Sequence, residues 1–174
     1  MRQETGYLAP LRQQTANALE WPLSCIELVQ RCTDLIDELQ RERGLGQLLL
    51  SSVGESYAAA LREQLRLSDE AEQALRRQLL RLAALPPTAD PGQVELARLG
   101  LALLNSPGLA DLLPMRRCLL LLRCTREQMF DAYCALLAQL LELVEAAAQA
   151  LPEPALTQEL TTLLQLMWGK EYSG

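Results

Sequence analysis

The stretch DLIDELQRERGLGQLLLSS, residues 34–52, decides how this chain is read. Its first half continues an apolar series that starts upstream: Cys25, Val29, Cys32, Ile36 and Leu39 follow one another at steps of 4, 3, 4 and 3. Such steps place all five on one face of a helix, the stripe of a helix packed in a bundle. The next position in the series is Arg43, and Gly44 and Gly46 come directly after it. A guanidinium is always charged and is costly to bury unpaired. Three arrangements would satisfy it. A carboxylate on a neighbouring helix could neutralise it, a small anion could sit against it in a cavity, or the glycines could shift the register so that the side chain reaches water.

Working outward, residues 1–21 are mostly polar and read as an N-terminal arm or short helix, with Pro22 suited to the first turn of the helix that follows. Residues 22–174 read as one helical bundle. A second helix is expected over about 55–85, with Tyr57, Leu61, Leu65, Leu75, Leu79 and Leu82 on its apolar side and a break or new N-cap at Ser68. LPPTADPG, residues 85–92, stops it. A short helix over 93–104 ends at NSPG, residues 105–108, and the next is expected to hold Pro114 in its first turn. TREQ, residues 125–128, has the Thr-x-x-Gln form of a capping box and opens a helix over 126–150. Phe130, Tyr133, Leu137, Leu140 and Val144 form its stripe. LPEP, residues 151–154, ends it, and a last helix is expected from Ala155 towards Trp168. The fold class is therefore all-α, an antiparallel bundle of about four to six helices.

Composition agrees. Of 174 residues 49% are apolar, mainly Leu and Ala, and only 4% are aromatic. No segment has the β-branched alternation of a strand. The net charge of −6 argues against a nucleic-acid partner, which needs a broad basic face. No apolar run approaches the ~20 residues of a membrane span, so no membrane partner is expected. The chain has no His, which removes the usual proton shuttle and the commonest metal ligand. Neither a Ser/His or Cys/His couple nor a phosphate loop is present, so no catalytic residue, cofactor or metal is assigned and the protein is not read as an enzyme. Five cysteines (25, 32, 118, 124 and 134) without a C-x-x-C pair or a signal peptide read as reduced, mostly buried thiols of a cytoplasmic protein.

A second arginine repeats the opening pattern. Leu109, Leu112, Arg116 and Leu119 lie at steps of 3, 4 and 3, with Arg117 and Arg123 as alternatives if Pro114 offsets the register. Two arginines facing each other across a bundle repel unless something negative lies between them. A planar oxyanion fits, because a guanidinium offers parallel N–H donors in a fork. Gly44 and Gly46 would let the helices close beside it.

DELQRERGLGQLLLSS, with its L-Q-x-E-R-G core, resembles the first signature of the nitrate- and nitrite-sensing (NIT) domain family. The segment LLPMRRCLLLLRCTREQMFDAYCALLAQLLELV, residues 112–144, is similar to a later segment of that family, and LLQLMWGKEYSG to the Lys-Glu-x-x-Gly run that follows it. The resemblance implies an all-helical sensor that binds nitrate or nitrite between helices, and replacing arginine repulsion by pairs to the anion would signal by a shift in bundle packing. It makes Arg43 the first candidate anion ligand and Arg116 the second, with Arg117 and Arg123 as alternatives and Gly44, Gly46 and Tyr133 in support. Family domains are usually longer and form two stacked bundles, so a short member or a piece of a longer protein is expected. Its signal would pass to a homodimer partner or a separate output protein. The competing reading is a helical interaction or dimerisation module that binds no small molecule and uses the surplus leucines of CLLLLR and LLAQLLELV.

Overall fold

The computed structural model describes residues 8–51, 57–85 and 90–151, with side chains from residue 20 onward. Five helices are present among the described residues: α1 (Leu8–Ser51), α2 (Ala58–Ala83), α3 (Pro91–Leu104), α4 (Pro107–Leu120) and α5 (Arg126–Gln149). The expected all-α bundle is what forms. The helix expected beyond Ala155 lies outside the described residues. No described helix is long and apolar enough to cross a membrane.

Side-chain bonds fix the directions. Gln78 donates to the carbonyl of Ser24 and Gln64 to that of Glu38, so α2 runs back along α1. The indole of Trp21 donates to the carbonyl of Ala150 and the Arg43 guanidinium to Cys134 Sγ, so α5 also runs opposite to α1. Gly92 sits against Ala150 and Gly108 against Leu136, which makes α3 and α4 one interrupted column antiparallel to α5. The result is four columns, α1, α2, α3–α4 and α5, alternating in direction around a core made mainly of leucine.

The line of α1 that enters this core is Cys25, Leu28, Cys32, Leu35, Leu39, Glu42, Gly46 and Leu49, all buried. It is a strict 3–4 repeat, the pattern of nearly parallel helix packing. The series read through Val29 and Ile36 is the adjoining ridge. Both of those residues are buried too, but their continuation, Arg43, is only half-buried. The charge at the centre of the bundle on α1 is therefore Glu42, not Arg43.

Three helix starts carry side-chain caps, of which the sequence reading names only Thr125. Asp90, Ser106 and Thr125 each accept a backbone N–H from the third residue on, and Thr125 forms the complete capping box with Gln128. Pro107, rather than Pro114, occupies the first turn of α4, where a missing N–H is harmless, and Pro114 lies inside the helix. Likewise Pro22 is interior to α1, which begins at Leu8. The preceding LAPLRQQTANALE consists mostly of good helix formers, and these extend the helix without any apolar stripe to announce it. Ser68 starts no new helix. Its hydroxyl donates to the carbonyl of Gln64 and is satisfied within a continuous α2.

Candidate functional site

Arg116 occupies the middle of the core and is 4% exposed. It is the third member of the α4 line Leu109, Leu112, Arg116 and Leu119, all four buried. Its Nε and Nη2 each donate to one oxygen of the Glu42 carboxylate, both at 2.8 Å, a bidentate fork. Glu42 is fully buried. The remaining Arg116 nitrogen, Nη1, donates to Asp69 of α2 and lies 3.6 Å from Glu72 of the same helix. Tyr133 of α5 donates its hydroxyl to Glu42 Oε1. Each of the four columns thus sends at least one group to a single polar cluster.

The electrostatics follow from this packing. Burial works against the charge on Arg116, yet the bonded Glu42 carboxylate, helped by Asp69, overcomes it and raises the guanidinium pKa. Burial, reinforced by the Glu42 carboxylate, pushes the Tyr133 phenol well above its usual range, so it remains a donor. The planar oxyanion that the sequence pattern asks for beside Arg116 is, in this structure, a carboxylate of the chain itself.

Arg43 is placed differently. It follows Glu42 by one residue, about 100° around the helix, and so emerges on the side of α1 that faces α5. Its guanidinium donates to Cys134 Sγ at 3.3 Å and lies over the Phe130 ring, 5.1 Å from the centroid. Phe130 was expected on the core stripe of α5. It is instead half turned to solvent, and Met129 fills the buried position. Phe130 also lines an open groove of about 470 Å³ with Gly44, Gln47, Leu48, Ser51, Arg126 and Glu127. Arg126 reaches across it to the Ser51 hydroxyl at 3.4 Å. One wall of this groove is therefore the glycine turn of α1 and the other is the first turns of α5.

The structure does not set Arg43 and Arg116 against each other across an empty space. Glu42 takes up Arg116, and Arg43 lies beside the α1–α5 groove, over the Phe130 ring that lines it. Arg117 and Arg123 are exposed, one in the last turn of α4 and the other beyond its C-cap. The two glycines also part company. A Cβ on Gly46 would meet Met129 Sδ at 2.7 Å and Leu119 Cδ2 at 2.9 Å, so this glycine permits close packing of α1 on α4 and α5. A Cβ on Gly44 would meet nothing within 4 Å, and this residue simply opens the groove. Sequence reasoning missed Glu42, Asp69 and Arg126. The first could have been found by extending Leu28, Leu35 and Leu39 by one step, and the other two carry no signal short of the tertiary arrangement. Among the described residues no group of three or more Cys, Asp or Glu could hold a metal ion. The five cysteines are free, but only Cys25 and Cys32 are fully buried, with burial raising the Cys25 thiol to about 12.

Comparison with known families matches residues 34–174 to nitrate and nitrite sensing. The chain belongs to that family. The match begins in the helix that carries Glu42 and Arg43, and it includes every residue of the polar cluster and the groove. Searches of curated proteins and of solved structures returned no match. Membership in the nitrate- and nitrite-sensing family is a sensory assignment.

Proposed function

We propose that this chain senses nitrate or nitrite, and that the anion is taken up in the α1–α5 groove beside Arg43. The family match over residues 34–174 carries the reading. Support for the place comes from the Arg43 guanidinium over Phe130, with Arg126 and the Ser51 and Gln47 side chains within the same groove. A planar anion there would accept parallel N–H bonds from a guanidinium already oriented by the ring. Arg116 is a poor ligand on this reading. Its Glu42 partner is buried, and withdrawing the arginine would leave that carboxylate uncompensated. Because Glu42 and Arg43 are consecutive, an anion that draws Arg43 towards α5 turns Glu42 against Arg116, and the bundle shifts its packing as one unit.

The test is thermal unfolding in chloride buffer with nitrate, nitrite or sulfate titrated at matched ionic strength. At 100 times its Kd, a ligand that binds only the folded state adds about 2.7 kcal/mol, roughly 5–10 °C in Tm for a domain of this size. The expected result is a rise with nitrate or nitrite alone, lost in Arg43→Ala and retained in Arg117→Ala. Equal shifts from all three salts would mean ionic screening and sink the proposal.

A further inference from the structure

The turn between α4 and α5 is built against local preference. After Leu120 the chain closes with Leu122 N–H on the carbonyl of Leu119 at 3.0 Å and Arg123 N–H on that of Cys118 at 2.8 Å. This is the pair of bonds of a Schellman stop, whose left-handed residue is usually glycine. Here it is Leu122, with φ 54°, and no other described residue, glycine or not, has a positive φ. A leucine in that conformation is disfavoured, and nothing in the core compensates for it, because Leu121 and Leu122 are each 60% exposed. Residues held in such a conformation cluster at functional sites.

The surroundings indicate which function this one serves. Residues 112–126 contain no carboxylate, while Arg117 and Arg123 are exposed around the two leucines. In a molecule of net charge −6 this end of α4 is a local cationic tip. It is also convex. The leucines project from a tight turn, so a protein partner would have to supply a pocket for each. A lipid headgroup layer needs none: it accepts projecting leucines at the acyl boundary while guanidinium groups reach the phosphates.

We propose that the α4–α5 tip binds an anionic phospholipid surface, with Leu121 and Leu122 inserted and Arg117 and Arg123 on the headgroups. This is a contact at a bilayer surface and involves no spanning helix. It stands apart from the sensing site, since neither the leucines nor these two arginines line the Arg43 groove.

The test is co-sedimentation of the full chain with large vesicles of phosphatidylglycerol and phosphatidylcholine in equal parts, against vesicles of phosphatidylcholine alone. Binding is expected to the anionic vesicles only, and to fade as added salt screens the headgroups. Arg117→Gln with Arg123→Gln should weaken it on the order of 25-fold, about fivefold for each charge. Leu122→Gly keeps the turn, because glycine prefers that φ, so its circular dichroism should match the parent while its binding falls. Wild-type binding by Leu122→Gly, or equal binding to neutral vesicles, overturns the proposal. So does retention on immobilised poly-glutamate without vesicle binding, which would point to an acidic protein partner.

Discussion

The core line of α1 passes through two regions that differ in chemistry but not in geometry. From Cys25 to Leu39 each inward position is apolar and belongs to the same buried cluster as the leucines of α2 and α5. One turn further, at Glu42 and Gly46, the same line offers a buried carboxylate and then no side chain at all. The first region is held by non-directional burial, which tolerates volume-conserving exchange. The second is held by a fork with fixed donors and acceptors, which tolerates almost no exchange of one partner alone. Their contrast shows where this bundle has concentrated its polar specificity: one level, touched by all four columns and next to the Arg43 groove.

The largest effect should come from breaking the polar level on one side. Arg116→Ala strands Glu42 and should cost about 3–5 kcal/mol in urea unfolding. In the apolar region Leu35→Ala should cost about 2–5 kcal/mol by cavity formation, a similar number from a different cause. The causes separate when partners are replaced together. Glu42→Leu with Arg116→Met and Tyr133→Phe should bring stability back to the parent value or above it by roughly 1–4 kcal/mol. A triple variant as unstable as Arg116→Ala would show that the level is held by shape rather than by charge pairing.

The glycines sharpen the comparison at smaller scale. Gly44→Ala has open space and should gain about 0.5–1 kcal/mol from helix propensity. Gly46→Ala gains the same propensity but drives a methyl into Met129 and Leu119, whose shift costs about 1–3 kcal/mol, so it should end neutral or destabilised. Thermal melts of the two variants should move apart.

The smallest effects lie on the solvent side. The hydrogen bond and charge of Arg66 hold the exposed Glu63 carboxyl below its ordinary range, and Arg98 does the same for Glu95. A folded pKa below the unfolded value of ~4.3 stabilises above that pH, and the contribution is lost as pH falls through the lower, folded value. Glu63→Gln should therefore leave neutral-pH stability almost unchanged and remove a small part of the acid-side slope. Unfolding midpoints measured from pH 6 to pH 3 would show it.

Much of this architecture was legible from local chemistry. Thr125 with Gln128, the stops at residues 85–92 and 105–108, and the α4 line through Arg116 all follow from capping and periodicity. What failed was the choice between two adjoining stripes on α1. Val29 and Ile36 are as apolar as Leu28 and Leu35, so the pattern forks after Leu39, and only the positions of α4 and α5 select Glu42 over Arg43. Pro22 and Pro114 misled for a related reason. A proline marks a helix start only when propensity on both sides does not carry the helix through it. The groove was illegible because Arg126 and Ser51 meet only once α1 and α5 are side by side.

The cut in the third column at Asn105 and Ser106 sets the scale on which the molecule can breathe. Helix α4 is 14 residues long, with its own cap at Ser106 and its own stop at Leu122, so its ladder can open without unzipping α3. Arg116 is the latch on that short unit. When α4 swings out, the fork leaves with it and Glu42 on the longest helix loses its counter-charge. Amide exchange along α4 therefore reports the strength of a bond whose other half is rooted in α1.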